Sequence, residues 1–264
     1  MRRTGVPAAV LLLLGTALAE DGKPPADWTS HMGDLPFVVG IEKGREEVKF
    51  TGRPAMLFFT SAGDPWCPKY AARTWKDREV LENVAGYTPV LIDADAAPQA
   101  LKDKYAVAMV PAVAWLDFDE TPVFLAMGDA SLDLVRIMFR AAKDRCPGAR
   151  PPAEGFAALQ ALRKRLDEAA RAKDVRAQLA AIAEIRKVGL GAEVQAAARA
   201  ADARLTKDGE AEVARARGLL ASKKKGDARK AAERLVADYG AEHPVAKAAQ
   251  EILDQIAGKA RPRK

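Results

Sequence analysis

The chain has 264 residues and a mass of 28.3 kDa, with 49% apolar, 30% charged and 6% aromatic side chains, which excludes a collagen-like chain and fits a folded protein with one or two packed cores. Two cysteines cannot staple a chain of this length, so a disulfide scaffold is excluded as well. The net charge of +6 is uneven: residues 152–264 hold 24 of the 42 basic and 16 of the 36 acidic residues, and residues 20–151 are net acidic.

Arg2-Arg3, the apolar run from Val10 to Leu14 and the small residues Ala17-Leu18-Ala19 follow the order of a secretory signal peptide. The apolar run is shorter than the ~20 residues of a spanning helix. Residues 1–19 are therefore expected to be cleaved after Ala19, giving an exported protein of the periplasm or extracellular space with no membrane span. Residues 20–39 read as an N-terminal extension.

From residue 40 to 146 the texture is that of a layered α/β domain. Ala55 to Thr60, Pro89 to Ile92 and Ala112 to Leu116 are continuous apolar runs of buried strands, with helical patterns between them. Proline and glycine then collect from Cys146 to Pro152, and residues 147–153 read as a linker. Beyond it the sequence is alanine-rich and amphipathic over 154–258, with predicted helices near 155–171, 175–188, 193–206, 210–221, 227–239 and 245–257. The last two carry apolar stripes at i, i+3, i+4, i+7, i+8 and i+11, from Ala228 and from Val245. Successive units begin at Phe156, Val194 and Ala228, close to the period of about 34 residues of helix-hairpin arrays. Three stacked hairpins resembling tetratricopeptide repeats are expected, with an ordinary helical bundle as the alternative. Residues 259–264 form a basic tail. The basic residues of this half have no stacking aromatics between them, which argues for solvated helix faces and against nucleic acid. Anion binding by this half is a weaker third reading of function.

The first domain resembles the thioredoxin superfamily, especially its secreted members. The resemblance is carried by the strand Met56 to Phe59 leading into Asp64-Pro65-Trp66-Cys67-Pro68-Lys69, by Trp75-Lys76-Asp77-Arg78-Glu79-Val80, by the strand at Pro89 to Ile92, and by Val110-Pro111-Ala112, where the family has a cis proline. It implies an α/β thioredoxin-like fold ahead of the all-α helical-hairpin domain.

Dithiol exchange needs two cysteines at Cys-x-x-Cys spacing, one attacking and one resolving. Only one is present. In the gapless register, which is favoured, Asp64 replaces the attacking cysteine and Cys67 keeps the resolving place. In the other, Cys67 is the nucleophile and Tyr70 replaces the resolver. The acid that family members place in the strand is absent in both, Phe58 or Ser61 standing there. Asp64 is alternatively a helix cap, and Cys67 is either a thiol at the positive end of a helix or a buried small hydrophobe. The resemblance further implies that Val110 and Pro111 form a peptide-pairing edge with Trp66 beside it.

Two functions follow: an exported binding or scaffold module that has lost the redox dithiol and holds an exported protein or peptide, or a monothiol oxidoreductase or isomerase-like factor using Cys67. An intermolecular disulfide through Cys67 or Cys146 stays open; one between the two within a single subunit is disfavoured. His31 and His243 lie far apart in sequence with no cysteine or paired acid at ligand spacing, so neither a metal nor a cofactor is expected.

Overall fold

The computed structural model describes residues 27–145 and 148–258. The signal-peptide assignment, Cys146 and the basic tail fall outside the described residues.

The first domain runs α1 (Thr29–Met32), β1 (Val38–Val39), α2 (Ile41–Thr51), β2 (Ala55–Thr60), α3 (Trp66–Thr74), α4 (Arg78–Val84), β3 (Thr88–Asp93), α5 (Gln99–Lys104), β4 (Ala112–Leu116), β5 (Pro122–Met127) and α6 (Leu132–Arg145). The sheet order is β1-β3-β2-β4-β5, with β1 and β2 parallel to β3, β4 antiparallel to β2, and β5 antiparallel to β4. All six residues of β2 are buried, as expected of a central strand covered on both faces. Alternation along β2 sends Met56 and Phe58 to one face and Leu57 and Phe59 to the other, and each face builds its own core. Phe58 joins Tyr70, Trp75, Trp115 and Phe139 beneath α3, α4 and α6. Phe59 joins Val90, Ile92, Tyr105 and Leu116 beneath α2 and α5. This topology, with helices on both faces, is a thioredoxin-like α/β fold.

The motif at residues 75–80 has a clear local cause. Trp75 is fully buried, Asp77 caps α4 by accepting the Val80 N–H at 3.1 Å, and its carboxylate also takes the Arg136 guanidinium from α6.

Two expected boundaries change. Residues 27–39 are part of the domain and not an extension: Trp28 and Phe37 enter its core and β1 pairs with β3. Downstream there are five described helices where six were expected: α7 (Glu154–Arg171), α8 (Val175–Val188), α9 (Ala192–Ala221), α10 (Lys225–Tyr239) and α11 (Pro244–Ile256). The expected break at Lys207-Asp208-Gly209 does not occur. Gly209 is buried inside α9, where a Cβ would meet Val245 at 2.7 Å and Tyr239 at 2.8 Å. The glycine permits close helix approach and does not end the helix. The result is an all-α region in which α9 packs against both α8 and the α10–α11 hairpin.

The two domains share a buried seam. Phe50, the last aromatic of α2, packs edge-on against Phe156 with ring centres 5.6 Å apart, and belongs to the helical core. Buried Glu47 reaches across, its carboxylate accepting the N–H groups of Gly191 at 2.9 Å and Ala192 at 2.6 Å. These are orphan donors at the N-terminus of a 30-residue helix, where a carboxylate is favoured by hydrogen bonding and by the helix dipole together. The linker is pinned as well: Arg150 N–H donates to Gly52 O at 2.7 Å and Ala153 N–H to Phe50 O at 3.1 Å.

Candidate functional site

The candidate site lies at the carboxyl end of β2, where a loop leads into α3. Asp64 ends that loop, its side chain accepting the Trp66 N–H at 2.7 Å and its carbonyl the Cys67 N–H at 3.3 Å. The expected helix cap is thus one residue displaced: Pro65 is the capping residue, and Asp64 closes the turn before it. The aspartate's short side chain suits it to this bond to the backbone two residues on.

Trp66 and Cys67, adjacent in the first turn of α3, have opposite environments. Trp66 is 53% exposed, with the Lys69 ammonium 4.6 Å from its ring centre. Cys67 is fully buried. Burial pushes its thiol above the ordinary range, and the carboxylates of Asp64 and Asp95 act in the same direction; hydrogen bonding to the Thr60 hydroxyl and to the Ser61 backbone offsets part of this. At neutral pH the group is a protonated thiol.

The Thr60 hydroxyl also lies 2.7 Å from Nδ1 of His31, which is buried against Trp28. Burial lowers the His31 pKa and keeps the ring neutral. Sequence reading missed this chain of contacts. His31 stands 36 residues before Cys67, in a four-residue helix with no periodicity of its own, and only α1 packing on α3 brings the two near. Ser61 donates to Asp95 at 2.6 Å, so Asp95, in the turn after β3, holds the β2 loop.

The strand position that carries an acid in the family is Phe58 in the gapless register, and it is wholly apolar: Phe58 is fully buried between Tyr70, Trp75 and Phe37. Tyr70, the resolver position of the other register, is buried in the same cluster, and its hydroxyl is pushed well above its ordinary range by burial.

The Val110–Pro111 peptide bond is cis. The β2–β4 register sets Phe59, next to last in β2, opposite Ala112, the first residue of β4 and the one that follows Pro111. The Val110–Pro111 turn therefore sits at the same end of the sheet as the Cys67 loop. Pro111 is buried, Val110 half-buried, and Met109 and Met127 at this end are 57% and 42% exposed. Asp64, Trp66, Cys67, Val110 and Pro111 thus share one end of the sheet, with Trp66 and the two methionines exposed. Among the described residues no group of three or more His, Cys, Asp or Glu side chains gathers to hold a metal ion, and no described helix is long and apolar enough to cross a membrane.

No known family model matches the chain, and no curated protein matches it. Among solved structures it is similar to a thioredoxin from Thermus thermophilus, at 18% identity over 40% of this chain and 87% of that one, with a TM-score of 0.36. It is also similar to the C-terminal domain of DsbD from Neisseria meningitidis in its reduced form, at 22% identity over 38% of this chain and 91% of that one, with a TM-score of 0.34. A third similarity is to an uncharacterized thioredoxin-like protein from Clostridium perfringens, at 14% identity over 50% of this chain and 91% of that one, with a TM-score of 0.31.

Proposed function

We propose that the chain is an exported thioredoxin-fold protein without dithiol exchange, acting as a binding or scaffold module for an exported protein or peptide. The observation that carries this reading is the contrast between two neighbours at the start of α3: Trp66 is about half exposed to solvent while Cys67 is withheld completely. A buried, protonated thiol is a poor nucleophile. An exposed indole at the same end of the sheet as two exposed methionines offers a contact surface, because indole combines a large apolar face with a polar edge and thioethers adapt to varied partners. The partner is an extended segment lying along the Val110–Pro111 turn, its main chain paired with that edge and its apolar side chains on Trp66, Met109 and Met127.

A displayed peptide library selected on the full chain tests the binding reading. Enriched peptides are expected to bind Trp66→Ala about tenfold or more weakly than the wild type, the size of loss typical of an exposed aromatic anchor. Peptides that bind both equally refute the site. Insulin reduction with glutathione tests the chemistry, with turnover expected to match that of Cys67→Ser. Turnover lost in Cys67→Ser replaces the binding module with a monothiol oxidoreductase.

A further inference from the structure

A cavity lies at the end of the sheet opposite the Cys67 loop, where Thr88 and Pro89 open β3 and the two domains meet. It encloses about 240 Å³. Its apolar wall is built by Leu81, Val84 and Tyr87 from the first domain and by Phe156 and Val194 from the second, and its charged groups are Glu47, Arg53 and Glu193. Neither domain alone makes this cleft.

We propose that the cleft binds a small aromatic molecule carrying a cationic amine. Size is the first argument: an apolar cavity of about 150 Å³ takes a benzene ring, so this one has room for a fused two-ring body or a ring with a short chain. Charge is the second. Glu47 is buried, and each of its carboxylate oxygens accepts one backbone N–H, which leaves acceptor capacity on both. Among the described residues no cationic side chain forms an ion pair with it. The cleft's one guanidinium, Arg53, is engaged by Glu193 at 3.3 Å. Two carboxylates against one guanidinium and the partial positive charge of about one half at the α9 N-terminus leave the lining with a residual negative charge, and in a partly enclosed site that charge favours a cation more than it would in water. The apolar walls with few convergent polar groups are those of a small-molecule site.

Titration calorimetry of the full chain with tryptamine, indole and indole-3-acetate tests the proposal, since the three share a ring and differ in charge. Tryptamine is expected to bind about tenfold more tightly than indole, and indole-3-acetate more weakly than either. Leu81→Trp, which fills the cleft from its wall, should abolish tryptamine binding, and Glu47→Gln should bring it down to the level of indole. On the wild-type protein, tryptamine should shift the amide resonances of Gly191 and Ala192, which decides the matter even if Leu81→Trp fails to fold. No binding of tryptamine at millimolar concentration, equal affinity for all three probes, or shifts confined to the Trp66 loop would each overturn the proposal.

Discussion

Replacing Gly209 by alanine should destabilise the protein, although the same change in the middle of a helix ordinarily stabilises. Alanine gains about 1 kcal/mol over glycine in helix propensity. Against this, the new Cβ would lie 2.7 Å from both γ-methyls of Val245 and 2.8 Å from Cζ of Tyr239. Neither neighbour yields cheaply: Val245 is buried, and the Tyr239 hydroxyl is fixed by a 2.7 Å bond to Leu205 O. Forcing a methyl into such a site costs roughly 1–3 kcal/mol, and displacing the tyrosine forfeits about 1 kcal/mol more for its hydrogen bond. The expected net loss is about 1–3 kcal/mol. Gly218, in the same helix, has open space where a Cβ would stand, and Gly218→Ala should gain about 0.5–1 kcal/mol. Urea denaturation of both variants, followed by far-ultraviolet circular dichroism, reads the two signs directly. If Gly209→Ala stabilises as Gly218→Ala does, the close approach of α9 to Val245 and Tyr239 is wrong.

Glu47→Ala removes the acceptor from one buried and one half-buried N–H group at the start of α9. Hydrogen bonds to charged groups are worth about 1.5–3 kcal/mol each and are not additive, so a loss of about 3 kcal/mol is expected, with faster hydrogen exchange in the first turn of α9; a loss below about 0.5 kcal/mol would refute the cross-domain cap. The bidentate bond from Arg45, with the Lys104 ammonium close by, lowers the Glu120 carboxyl to about 2. Because the folded value lies below the ordinary 4.5, this group's stabilisation is complete above that pH and is lost as pH falls toward about 2. Its partners are partly exposed, so solvent screening reduces the contribution to about 1–2 kcal/mol. Glu120→Gln should lower stability by that amount at pH 7 and flatten the acid limb of the stability profile between about pH 4.5 and 2; an unchanged limb would contradict the assignment.

The strands of the first domain were legible because burial on both faces forces continuous apolar runs, as at Ala55 to Thr60. The ordered series from Trp66 through Asp77 to Pro111 placed the candidate site at one end of the sheet. The strand β1 and the helix α1 were not legible, since two and four residues cannot display a period, and with them went the core positions of Trp28 and Phe37 and the His31 contact to Thr60. Gly209 was misread because a glycine in an alanine-rich run marks either a break or a close approach, and the residues that decide lie some 30 positions further on. Glu47 looks like one acid of a solvated pair with Glu46, and its partners stand more than 140 residues away.

The central claim, a thioredoxin-fold site that presents Trp66 and withholds Cys67, is tested most directly by the alkylation rate of Cys67 in a Cys146→Ser variant from pH 4 to 10, with the denatured protein as reference. The account predicts that the native protein reacts only at the rate at which it unfolds, with no titration step below the ordinary thiol value of about 8.5. Rapid alkylation with a midpoint well below that value would mean an accessible thiolate, and would contradict the account.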